Sequence, residues 1–138
     1  MSWDVSIHKF PRLYRSVADI PRDEVPLSLG SRAFVHELVR MEFPGTDWSD
    51  PAWGQWSSAD GSIDFNLGSD DPATGLMLHV RANTNVIAAI VRLCLQNGWQ
   101  GIDCSSGEFL EQSEDPARGL VSWTAYRDQV IRGQSNDA

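Results

Sequence analysis

Five side chains that could perform acid–base or metal chemistry lie in segments where polar and apolar residues alternate. They are His8, His79, Asp4, Asp64 and Asp103. A histidine beside carboxylates has a raised pKa and can exchange a proton near neutral pH. With neutral imidazoles, the same set could instead bind a divalent cation. The five residues therefore define one candidate site, provided that the fold brings them to one face.

Four segments have the two-residue period of a half-buried strand. They are residues 3–8, 62–67, 76–81 and 99–104. The second and third are separated by the turn-forming sequence GSDDPATG, which predicts an antiparallel hairpin with one apolar face. Residues 53–58 are a candidate for a short additional strand. In the last of the four segments we expect Ile102 and Cys104 to point inward.

Three segments have helical periodicity. The first covers about 31–43 after the capping residue Ser31, and the second runs from the caps at 83–85 to Asn97 and Gly98. A third helix is predicted to begin near 115–116, and the tail 133–138 is predicted to fray. The chain thus reads as one α+β domain over 1–138.

The element order is βαββαβ followed by a C-terminal helix, which is the order of a ferredoxin-like sandwich. It predicts an antiparallel sheet of four to five strands with the helices packed mainly on one face. If the apolar strand residues meet those helices, the alternation sends the five candidate residues to the opposite, open face.

Composition limits the possible functions. The chain has 138 residues, 41% hydrophobic and 22% charged, which is typical of a globular domain. Its net charge of −8 argues against binding to nucleic acid or to an anionic membrane. Two cysteines without a CxxC motif indicate no zinc site and a reducing compartment. With no signal peptide or membrane span in the sequence, the expected location is the cytoplasm.

Two kinds of residue suit protein binding. Trp48 and Trp53 lie in a segment rich in turn formers and acids, where a large ring either plugs the end of the core or serves as a binding anchor. Acidic residues cluster in two other segments of the chain. They either are solvated surface charge or attract a basic partner. The acids selected as candidate contacts are Asp70, Asp71, Glu108 and Glu111.

Recognised catalytic and cofactor motifs are missing from the sequence. It contains no HExxH, P-loop, GxGxxG or GxSxG pattern, so no cofactor is predicted. The serines of CSSGE, residues 104–108, are explained by a turn. Polar residues on an open sheet face are also expected when they have no catalytic role, so solvation remains an alternative for the five-residue set.

Several segments carry a resemblance to small bacterial α+β proteins without assigned chemistry. They are FPGTDWSDPAWG (43–54), LMLHVR (76–81), NGWQGIDCSSGEFL (97–110) and WTAYRDQV (123–130). More loosely, the chain is similar to the acidic immunity proteins that neutralise bacterial toxins. That resemblance implies a cytoplasmic inhibitor that covers the active site of a toxin. It transfers no individual residue, because immunity proteins are diverse.

Two hypotheses follow. The first is a non-enzymatic protein that binds a basic partner, such as a cognate toxin, through acidic loops and exposed tryptophans. The second is a metal-dependent or acid–base enzyme that uses His8, His79 and nearby aspartates. The distance between His8 and His79 discriminates between the two hypotheses, because two histidines that bind one metal ion must approach each other closely. A small-ligand sensor is a third possibility.

Overall fold

A computed structural model of the chain describes residues 1–136 as an antiparallel sheet with three α-helices. The strands are β1 (Trp3–His8), β2 (Asp47–Asp50), β3 (Trp53–Ser58), β4 (Gly61–Asn66), β5 (Leu76–Ala82) and β6 (Gln100–Asp103). The helices are α1 (Arg32–Glu42), α2 (Ile87–Asn97) and α3 (Arg118–Asn136). The α+β class predicted from the sequence is confirmed.

The sheet contains six strands in the order β2-β3-β4-β5-β1-β6, and every neighbouring pair is antiparallel. It is larger than the four to five strands predicted, because the candidate strand 53–58 forms and β2 extends the sheet beyond it. The sequence DWSD of β2 gave no strand signal, since three of its four residues are polar and the pairing with β3 shifts register. Cross-strand hydrogen bonds form β2 despite its weak local pattern.

Both α1 and α2 pack against the same face of the sheet. At the end of α1, the ring of Phe43 lies 5.3 Å from that of Phe65 on β4. On the α2 side, the Cys94 sulfur lies 3.1 Å from where a Cβ on Gly101 would stand. The buried strand residues on this face alternate as predicted, for example Val5, Ile63 and Leu78.

Local signals account for the ends of the helices. The Ser31 side chain accepts a hydrogen bond from the N–H of Phe34 and caps α1, as predicted. Gly98 has φ +66° and ends α2 in the left-handed conformation that favours glycine. Helix α3 continues to Asn136, so residues 133–136 of the predicted frayed tail are helical, whereas 137–138 lie outside the described residues.

The prediction of which β6 residues face the core is wrong. Asp103 lies opposite Val5 and is only 3% exposed, whereas Ile102 lies opposite Ser6 and Cys104 is exposed. A short strand is insufficient for the alternating pattern to decide which face is inward. The buried carboxylate is stabilised by polar partners, because Asp103 Oδ1 accepts hydrogen bonds from Trp3 Nε1 at 3.0 Å and from the Ser105 N–H at 2.8 Å.

Within residues 1–136, no helix is both long and apolar enough to cross a membrane.

Candidate functional site: the open face of the sheet

The strand side chains that alternate with the core residues form the side of the sheet opposite α1 and α2, here called the open face. Cross-strand partners in an antiparallel sheet share a face, with Cβ atoms ~4.5–5.5 Å apart. The register therefore assigns the following residues of β1 to β5 to the open face: Asp4, Ser6, His8, Asp47, Asp50, Trp53, Gln55, Ser57, Ser62, Asp64, Asn66, Met77, His79 and Arg81.

His79 lies at the centre of the open face. Its cross-strand partners are Asp64 on β4 and Asp4 on β1, and its Nδ1 is 3.0 Å from Asp4 Oδ1. The ring of Trp53 stacks on it with centroids 5.7 Å apart and planes tilted by 22°. Arg81 Nη1 donates to Asp64 Oδ2 at 3.2 Å. Of the five predicted site residues, the structure brings these two aspartates and one histidine together.

His8 does not join this group. It lies four residues beyond Asp4 along β1, which at ~3.3 Å per residue puts it about 13 Å from the level of His79. Metal–nitrogen bonds in zinc sites are ~2.0–2.1 Å, so the two imidazoles cannot bind one ion. Asp103 faces the core instead. The predicted five-residue site is therefore wrong as a single constellation.

Metal binding has no further support in the part of the chain that the structure describes. Across residues 1–136, no group of three or more His, Cys, Asp and Glu side chains is arranged to hold a metal ion.

His8 instead pairs with a serine on its own strand. Ser6 Oγ lies 2.7 Å from His8 Nε2, and His8 Nδ1 lies 3.4 Å from the carbonyl oxygen of Thr74. Burial lowers the pKa of His8 below the usual 6.5, and the Thr74 carbonyl opposes this shift. The imidazole is therefore neutral at physiological pH.

The lowered pKa of His8 predicts a pH-dependent stability. An unfolded histidine takes up its proton near pH 6.5, whereas folded His8 resists protonation until lower pH, so folding weakens as the pH falls. We expect the free energy of unfolding, measured in urea, to fall more steeply between about pH 7 and about pH 5 in the wild type than in His8→Gln. Parallel curves for the two proteins would contradict the assignment.

The open face is acidic. It carries four aspartates (Asp4, Asp47, Asp50 and Asp64) and one arginine, Arg81. The register places Asp47 beside Gln55 and Asp50 beside Trp53. Sequence reasoning missed these two aspartates as site residues because it read their segment as a loop. The available signal was the position of Asp47 directly before the apolar Trp48; Asp50 lies two residues after Trp48, and only the register shift in β2 brings it to the same face.

The two candidate tryptophans have different roles. Trp48 is 7% exposed and stacks on His36 with ring centroids 4.0 Å apart, so it plugs the end of the core and is not an exposed anchor. A Cβ on Gly54 would come within 2.8 Å of the Trp48 ring, so glycine is needed where the indole crosses β3. Trp53 is half-buried on the open face and remains available as an anchor.

The four candidate acids do not form one surface. Asp70 and Asp71 are exposed in the β4–β5 loop, where Asp71 Oδ1 accepts a hydrogen bond from the N–H of Arg32 at 3.1 Å. This loop lies at the end of the sheet where β4 finishes with Asn66, the partner of Trp53. Glu108 is exposed at the opposite end, in the loop that follows β6.

Glu111 is part of the internal packing. Burial raises its pKa, and one carboxylate oxygen accepts a hydrogen bond from the N–H of Gly101 at 3.1 Å, which acts in the opposite direction. It lines a mainly apolar cleft of about 430 Å³ together with Tyr14 and Trp99. Glu111 is therefore less accessible to a protein partner than Glu108.

Comparison of the chain with protein-family models, with curated protein sequences and with solved structures found no significant match.

Proposed function

We propose that this chain is a protein-binding domain that engages a basic partner through its open face. The observation that carries the proposal is the strand register, which puts Asp50 opposite the half-buried Trp53 and puts Asp47 and Asp64 opposite Gln55, the next residue of β3 on the same face. An aromatic anchor beside several carboxylates suits a surface rich in arginine and lysine. Complementary charge also speeds the encounter with such a partner.

The β4–β5 loop extends this surface. Asp70 and Asp71 lie in the loop at the end of the sheet nearest Trp53, where Asp71 is bound by the N–H of Arg32 at the start of α1, and we propose that the two carboxylates add charge at this end. Glu108 lies at the far end and would contact only a partner that spans the whole sheet. The binding surface that we propose is therefore Trp53 with Asp47, Asp50, Asp64, Asp70 and Asp71.

Asp47 and Asp50 have a second role that must be separated from binding. They lie on β2, an edge strand, where charged side chains prevent the pairing of sheets from different molecules. Asp4 and Asp64, by contrast, lie on interior strands and protect no edge. Loss of binding on replacement of Asp64 is therefore the more specific indication of a partner surface.

Within this class, we propose an immunity protein that inhibits a bacterial toxin. If the toxin is a nuclease, the aspartates of the open face can imitate phosphates toward its arginines and lysines. A ferredoxin-like arrangement of β4, β5, β1 and β6, with β2 and β3 added at one edge, remains part of the proposal, and the strand order β2-β3-β4-β5-β1-β6 supports it.

Affinity capture from a lysate of the source cell tests the proposal, with the captured protein identified and then purified. We expect a basic partner whose affinity for Asp47→Asn/Asp50→Asn/Asp64→Asn is about 10- to 100-fold weaker in low salt, at ~0.5–1 kcal/mol per lost charge. The association rate should fall most, and its salt dependence should flatten.

Asp19→Asn/Asp23→Asn is the matched control, because both aspartates are exposed and lie outside the sheet. It removes two negative charges, against three in the open-face variant, without altering the open face, and it should bind almost as well as the wild type. If the two variants lost affinity equally, the effect would be one of net charge and not of the open face. An acidic partner, or one indifferent to the open-face substitutions, would refute the proposal.

A further inference from the structure

The open face contains a hydroxyl group positioned next to a base. Ser6 and His8 are two residues apart on β1, so both side chains project from the same face. Ser6 Oγ and His8 Nε2 are 2.7 Å apart, within the hydrogen-bond reach required of a nucleophile and its general base.

The hydrogen-bond partner of the second ring nitrogen, Nδ1, determines which of the two nitrogens carries the proton. His8 Nδ1 faces the carbonyl oxygen of Thr74, which can only accept a hydrogen bond. The proton of a neutral ring is therefore assigned to Nδ1, which leaves the Nε2 lone pair to accept the Ser6 hydroxyl. This is the relation in which a histidine can remove a proton from serine.

The imidazole is also held in place. A Cβ on Gly75 would lie 3.0 Å from His8 Cε1 and 3.2 Å from Nδ1, so the ring packs directly over that backbone position. The Phe10 ring also packs near the imidazole, with ring centroids 5.9 Å apart. Gly75 is therefore a positioning residue for the pair.

We propose that Ser6 is an activated nucleophile that accepts acyl groups from small esters, with His8 as its general base. The half-buried side chains of Met77 and Ile102 flank Ser6 on the neighbouring strands and favour a short apolar acyl group. This activity is independent of the partner binding proposed above.

The chemical step is balanced by the groups present and the ester. Ser6 Oγ forms a bond to the carbonyl carbon while His8 Nε2 takes the hydroxyl proton. The bond from that carbon to the leaving alkoxide then breaks, and the alkoxide takes the proton from His8. Water, deprotonated by His8, releases the acid and restores Ser6 by the same route.

Other ionisable groups near the pair affect its pH profile. Asp4 lies two residues from Ser6 on β1, and His79 is opposite Asp4 on β5. On β6 the residue opposite His8 is the neutral Gln100. We expect the acylation rate to rise with pH through the pKa of His8 and then to level, whereas direct attack by hydroxide would keep rising.

The test is acylation by p-nitrophenyl acetate, followed by peptide mapping and by treatment with hydroxylamine, which cleaves esters but leaves amides intact. We expect an ester-linked acetyl group on Ser6, lost in Ser6→Ala and formed about 100-fold more slowly in His8→Gln. Gly75→Ala should slow the acetylation of Ser6 by displacing the His8 ring, although Ser6 and His8 themselves are unchanged. Ser62→Ala is the control, because Ser62 is half-buried on the same face with Ser57 and Arg81 as its partners.

Two results would overturn the proposal. One is acetylation confined to Lys9, to the exposed thiol of Cys104 or to the N-terminal amine. The other is an equal rate of Ser6 acetylation in the wild type and in His8→Gln, which would mean that the histidine does not act as a base. Circular dichroism of each variant verifies that the fold is retained, and Gly75→Ala provides a second readout if His8→Gln unfolds.

Discussion

Gly119→Ala is expected to destabilise the protein by about 2–4 kcal/mol, a large effect for one methyl group. Gly119 lies in the first turn of α3, and a Cβ there would come within 2.0 Å of Asp103 Oδ2 and 2.7 Å of Trp3 Nε1. Asp103 cannot move away cheaply, because Trp3 and Ser105 both donate hydrogen bonds to its other oxygen. Either α3 separates from the sheet or these buried hydrogen bonds break.

The measurement is urea denaturation followed by far-UV circular dichroism and by tryptophan fluorescence. Gly133→Ala is the matched control in the same helix, because a Cβ on Gly133 meets nothing within 4 Å. That substitution should be neutral or stabilise the helix by up to ~1 kcal/mol. If Gly119→Ala were as stable as Gly133→Ala, the close packing of α3 against Asp103 would be wrong.

Gly61→Ala is expected to cost about 3 kcal/mol or more, because strain and steric overlap add at this position. Gly61 begins β4 with φ +129°, a backbone conformation that L side chains rarely adopt. A Cβ there would stand 2.4 Å from the carbonyl oxygen of Arg81 and 2.5 Å from Ala82 Cα. Both contacts are backbone atoms at the end of β5, an interior strand of the sheet, so no rotamer change relieves them.

Gly68→Ala measures the effect of a positive φ in the absence of steric overlap. Gly68 also has a positive φ, +76°, but a Cβ there would meet nothing within 4 Å. Gly68→Ala should lower the free energy of unfolding only by the cost of the left-handed backbone, about 1 kcal/mol. The excess loss in Gly61→Ala, measured by the urea midpoint at constant m value, then reports the close approach of β4 to β5 together with the additional strain of φ +129°. Equal losses would show that this approach is looser than the structure places it.

The central elements of the fold could be predicted from the sequence because their signals are local. Helices α1 and α2 begin and end at residues whose side chains or backbone satisfy the helix ends, such as Ser31 and Gly98. Strands β1, β4 and β5 alternate without interruption, so their inward and outward faces follow from the pattern alone. For the same reason Asp4, Asp64 and His79 could be assigned to the open face.

Only the tertiary structure decided the rest. Strand β2 has too few apolar residues to be recognised, and β6 is too short for its phase to be read, so the outward position of Asp47 and the inward position of Asp103 depend on pairing with their neighbours. Alternation assigns a side chain to a face but not to a place on it. The register therefore determined that His79 stands opposite Asp4, four residues away from His8, because hydrogen bonding between distant segments sets which residues stand opposite each other.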